Sequence, residues 1–93
     1  MPYIKPEKRV VFDNLIDELK RELVNQQLDD PEDNMEGNIN YVITRLLKKC
    51  YGNNYAELND AMGLLNCITH EFYRKIAAPY EDQKEFDNGQ IEK

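Results

Sequence analysis

The sequence predicts an all-α protein, and three observations carry that prediction. No segment alternates apolar and polar residues as a half-buried strand does, three segments repeat apolar residues at helical spacing, and Asn, Gly and Pro punctuate their ends. The expected architecture is a small antiparallel bundle of three main helices, about residues 6–27, 38–51 and 54–78. A short C-terminal helical segment follows, all within a single domain spanning residues 1–93.

The first helix is expected to open at Pro6, because proline is tolerated where a helix has no amide bond to lose, and Glu7 suits the positive helix end. Val11, Leu15, Leu19 and Leu23 recur every four residues, flanked by Phe12 and Ile16, and form an amphipathic stripe to about Gln27. The stretch LDDPEDNMEG, residues 28–37, carries five carboxylates and no cation and is broken by Pro31, so it reads as an exposed acidic loop. Asn38 then has the chemistry of an N-cap. Ile39, Val42, Ile43, Leu46, Leu47 and Cys50 follow on one apolar face, and Gly52 stands where a left-handed residue would end the helix.

The third helix opens with Asn54-Tyr55-Ala56-Glu57, a capping-box variant. Leu58, Ala61, Met62, Leu65, Ile68, Phe72 and Ile76 make its apolar positions, and Pro79, lacking an amide hydrogen, is expected to end or kink it. Residues 80–87 have the composition for one or two more turns, stopped by Asn88-Gly89, with 88–93 a flexible tail. On these lengths the first and third helices each outrun the second by roughly 10 Å. Apolar ends left uncovered in this way mark interfaces, so a homo-oligomer is expected.

Ninety-three residues build one small domain, which self-association often supplements. The chain is 41% hydrophobic and 32% charged, a globular rather than a disordered balance. Its net charge of −6 disfavours a nucleic-acid polymer as partner, although Arg45, Lys48 and Lys49 form one local basic patch. No apolar run reaches the ~20 residues that span a bilayer, and MPYIKPEKR has no signal-peptide core, so a cytoplasmic location is expected. The two cysteines, Cys50 and Cys67, lie in different helices without metal-ligand spacing and are expected to be reduced and packed.

Catalytic motifs fail on inspection. His70-Glu71-Phe72-Tyr73-Arg74 begins like a zinc HExxH helix, but arginine replaces the second imidazole. Asp33-x-x-Glu36 and Glu57-x-x-Asp60 have the spacing of the acidic pairs that hold magnesium in all-α nucleotide pyrophosphohydrolases. The first pair falls between Pro31 and Gly37, on the expected loop, and Glu57 already serves a cap. With no serine, one histidine and no glycine-rich phosphate loop, no nucleophilic triad or nucleotide cradle is assembled. No cofactor or metal is expected, and an enzyme of the pyrophosphohydrolase kind is the remotest reading.

What remains is a polar and aromatic surface. Asn40, Tyr41 and Arg45 lie off the apolar face of the second helix, with Thr44 and Lys48 beside them. Asn66, His70, Tyr73 and Arg74 fall along one side of the third, near Asn59 and Gly63. Tyrosines for stacking, amides for polar edges and arginines for phosphate suit a small anionic or nucleotide-like ligand. The same residue types are enriched where protein partners dock, and a solvated face with a Glu71–Lys75 pair explains them equally.

The segments GNINYVITRL, EFYRK, APYED with Lys84, and Asn88-Gly89, after an opening PYIK, resemble a family of short proteins of unknown function from bacterial and bacteriophage genomes. In that family "LNYVITRL", "EFYRR" and "APYEDxK…NG" recur in this order. The likeness covers the chain apart from residues 28–36; Lys75 stands where arginine is common, and GQIEK replaces the usual "NGDV". The resemblance implies that Asn40, Tyr41, Arg45, Glu71, Tyr73, Arg74, Tyr80 and Glu81 belong to the family pattern, and it brings no activity with it. The expected role is that of a non-catalytic accessory protein, phage-associated by analogy, that captures a small anionic ligand. The alternative is a protein–protein adaptor or structural subunit that uses the same face.

Overall fold

A computed structural model describes residues 3–32 and 34–91, and most of the described residues are helical, with no strand among them. The chain is all-α, as the periodicity predicts. It divides into two compact units, one ending at Gly52 and the other beginning at Asn53.

The first unit is a pair of helices. α1 spans Pro6–Asp29, 24 residues, with Pro6 in its first turn and Lys5 as a backbone cap that accepts from the Lys8 amide at 3.0 Å. The Arg9 Nε reaches back 2.8 Å to the Ile4 carbonyl and anchors the entering chain. α1 runs two residues past the expected Gln27. Asp30 then turns extended, φ −132° and ψ 101°, as the residue before a proline prefers. Its carboxylate accepts from the Glu32 amide at 3.0 Å, closing a tight turn over Pro31.

α2 spans Met35–Cys50, 16 residues, and begins earlier than expected. The cap is Asn34, whose side chain accepts from the Gly37 amide at 3.0 Å, and not Asn38, which sits one turn inside the helix. Asn34 wins because Met35 extends the apolar spacing back one turn and Glu36 then lies at the positive helix end. The acidic loop is thereby shorter than residues 28–37, and Glu36 is helical; Asp33, its expected pair, lies outside the described residues. The other end of α2 also departs from expectation. Tyr51 turns extended, φ −113° and ψ 147°, while its amide donates to the Leu47 carbonyl at 2.9 Å. Gly52 is therefore not left-handed, and the glycine with positive φ among the described residues is Gly89, at 90°.

The second unit is a continuous helical run with a defect inside it. α3 spans Tyr55–Phe72, a π-helical turn follows over Tyr73–Ala77, and α4 spans Ala78–Asn88. The capping box forms: the Asn54 side chain accepts from the Glu57 amide at 2.9 Å and its amide nitrogen donates to the Glu57 carboxylate at 2.9 Å. Pro79 does not end the helix. The widened turn gives its ring room from the carbonyl that an α-helix would press against it, and Phe72, Ala77 and Ala78 all keep right-handed helical angles. α4 is 11 residues long, more than the one or two turns expected, and stops at Gly89 as Asn88-Gly89 predicts. Of the expected flexible tail, Glu92 and Lys93 lie outside the described residues.

No described residue is buried, which corrects the expectation that the apolar faces are. In α2, Val42 and Leu47 are half-buried while Ile39, Ile43 and Leu46 are exposed. Cys50 and Cys67 are free, as expected, but exposed rather than packed. The reason is geometric: a pair of helices, or one alone, shields a side chain from one direction and cannot enclose it. No helix among the described residues is long and apolar enough to cross a membrane.

Candidate functional site

The nominated residues divide between the two units. Asn40, Tyr41 and Arg45 stand on α2; Asn66 and His70 stand on α3, and Tyr73 and Arg74 open the π-helical turn. All seven are exposed.

On the first unit the neighbourhood of Tyr41 has shape. A shallow hollow of about 320 Å³ lies between α1 and α2, lined by Leu19, Glu22, Leu23, Gln26, Asn38, Tyr41 and Val42. Leu19, Leu23 and Val42 supply its aliphatic part, and Glu22 accepts a hydrogen bond from Gln26 at 2.8 Å along the α1 rim. Asn40, one residue from Tyr41, accepts from the Thr44 hydroxyl at 3.2 Å, so its carbonyl is turned along the helix. The α1 residues of this hollow carry no sequence signal as site residues. Which turn of α1 meets Tyr41 depends on how the two helices align, and spacing within either helix does not encode that.

On the second unit the chemistry gathers at the π-helical turn. The Arg74 guanidinium donates from Nη2 to the Glu71 Oε1 at 2.8 Å. The sequence expectation joined Glu71 to Lys75; the bond formed is the i,i+3 alternative, and that spacing was equally readable. The pair is uneven: the Arg74 side chain is 63% exposed and that of Glu71 20%. A half-buried carboxylate thus holds an exposed guanidinium from behind. A guanidinium carries five N–H donors in a planar fork, so one bond to Glu71 orients the group without using it up. Tyr73, the preceding residue, has its ring exposed, and His70 lies one turn before Arg74 at the end of α3. One turn beyond Pro79, the Lys84 ammonium sits 5.6 Å over the Tyr80 ring.

Among the described residues no three His, Cys, Asp or Glu side chains gather as metal ligands would. Glu57 is committed to its cap and Glu36 lies in the first turn of α2. The arrangement can bind an anion through Arg74, stack a ring on Tyr73 or Tyr41, or seat an apolar side chain against α1 and α2.

A family model described as a domain of unknown function, DUF6899, matches residues 1–91. No curated protein and no solved structure matches the chain.

Proposed function

The chain belongs to the DUF6899 family, whose function is unknown, and we propose that it is a non-catalytic binding protein acting as a homo-oligomer. The ligand in this reading is small and anionic, of the nucleotide kind, taken by Arg74 with Tyr73 and His70 beside it. The observation that carries the reading is the Glu71–Arg74 bond at the π-helical turn. It draws the guanidinium to one side at the surface with donors left over, an arrangement that suits a phosphate, and π-helical turns recur at functional sites. Tyr41, Arg45 and the hollow beside them make a second surface on the other unit. The resemblance to short bacterial and phage proteins supplies the setting, an accessory protein in the cytoplasm of a bacterial cell or an infected host.

A second reading is favoured by a different observation. Exposed Val10, Val11, Phe12, Leu15 and Ile16 gather apolar surface within two turns of α1, which suits an adaptor docking a protein partner.

Thermal unfolding with a panel of linear and cyclic nucleotides separates the two. Capture predicts a raised midpoint that Arg74→Ala removes; no shift with any nucleotide leaves the adaptor. Light scattering at tens of micromolar tests the oligomer, and a strict monomer there overturns it.

A further inference from the structure

Along α3, Leu58, Met62, Leu65, Thr69 and Phe72 recur at alternating spacings of four and three, the heptad pattern of a helix that packs along another helix, and Ile76 follows four residues on inside the π-helical turn. Leu58, Met62, Phe72 and Ile76 are 51%, 59%, 59% and 56% exposed, and Leu65 is half-buried. Thr69, the polar member, donates its hydroxyl to the Leu65 carbonyl at 3.0 Å, so it enters an apolar seam already satisfied. We infer that a second copy of this chain covers the seam, lying antiparallel to it across a two-fold axis near Asn66. This rests on the homo-oligomer reading above and names the surface that makes it.

Length and charge select that occupant. The seam from Leu58 to Ile76 is roughly 28 Å long, and a two-fold axis near its middle sets it against the same seam of the second copy over that whole length. Antiparallel pairing sets Leu58 opposite Ile76 of the second copy, Met62 opposite Phe72 and Leu65 opposite Thr69. It also brings the acidic end, Glu57 and Asp60, beside the basic segment of the second copy, Arg74 and Lys75. Parallel pairing would stack each of these charges on its own copy, which repels, and would align the helix dipoles unfavourably. Asn66 and Tyr73 then flank the seam, which places part of the candidate ligand surface at the junction between copies.

The test uses surface positions that leave the seam intact. In full-length chain carrying Cys50→Ser and Cys67→Ser, Asn66→Cys is expected to form a disulfide-linked dimer under mild oxidation. Asn59→Cys, a heptad further from the axis and therefore roughly 24 Å from its own copy, is expected to stay uncrosslinked. Circular dichroism matched to the parent shows that each variant folds, and light scattering of the parent reads the oligomer independently. An oligomer in which Asn66→Cys fails to crosslink, or both variants crosslink equally, overturns the antiparallel seam and leaves the oligomer standing. A strict monomer overturns both.

Discussion

The amide of Ala78 donates its hydrogen bond to the carbonyl of Tyr73, five residues back, one position before Pro79. Two irregularities that would each disturb a helix are thereby merged into one. Proline in an α-helical interior costs about 3 kcal/mol, partly through its ring striking the carbonyl four residues earlier. Widening the turn relieves that contact and turns Tyr73 and Arg74 to a different bearing relative to α4. Pro79→Ala should let the α-helical ladder run through and stabilise the chain by about 1–3 kcal/mol. Urea unfolding reads the stability, and backbone hydrogen-bond couplings read the register. A retained five-residue bond in the variant would show that Pro79 is not its cause.

The helix caps make a second, sharper contrast. Asn34 and Asn54 both accept from an amide three residues on, at 3.0 and 2.9 Å. Replacing either with alanine should destabilise the chain by about 1 kcal/mol. Asn38→Ala, inside α2, removes no helix cap and is the comparison. A larger loss at Asn38 than at Asn34 would restore the later helix start that the sequence suggests.

Gly63 lies inside α3 with nothing within 4 Å of where a Cβ would project. Alanine there removes backbone freedom from the unfolded chain and should stabilise by up to about 1 kcal/mol. Chemical denaturation gives the number. A loss of stability instead would reveal a neighbour close to Gly63 in the assembled protein.

Glu71→Gln separates orientation from stability. The pair it breaks is largely exposed on the arginine side, so unfolding free energy should change by less than about 1 kcal/mol. Any nucleotide-induced rise in melting midpoint should shrink nonetheless, because Arg74 loses the carboxylate that aims it. Equal ligand response in Glu71→Gln and the parent would remove Glu71 from the site.

Much of this architecture was legible residue by residue. The Asn54–Glu57 box, the opening at Pro6 and the stop at Gly89 are short-range events, decided by groups within four residues of one another. The misreadings are local competitions between near-equal candidates. Asn34 and Asn38 have the same side chain one turn apart, and Glu71 can reach Arg74 or Lys75 with little difference in energy. Gly52 is free to adopt a left-handed turn, but the extended Tyr51 closes α2 first.

The amino-acid order was sufficient for helix type, approximate helix ends and the residues facing away from each apolar stripe. These depend on backbone hydrogen bonding and on spacing along one chain. Folding in three dimensions supplied what no spacing encodes: which turn of α1 borders Tyr41, that helix continues through Pro79 by way of a π-helical turn, and that no described side chain is enclosed. Contact between separate helices is set by long-range alignment, and enclosure requires more surfaces around a side chain than its own helix presents.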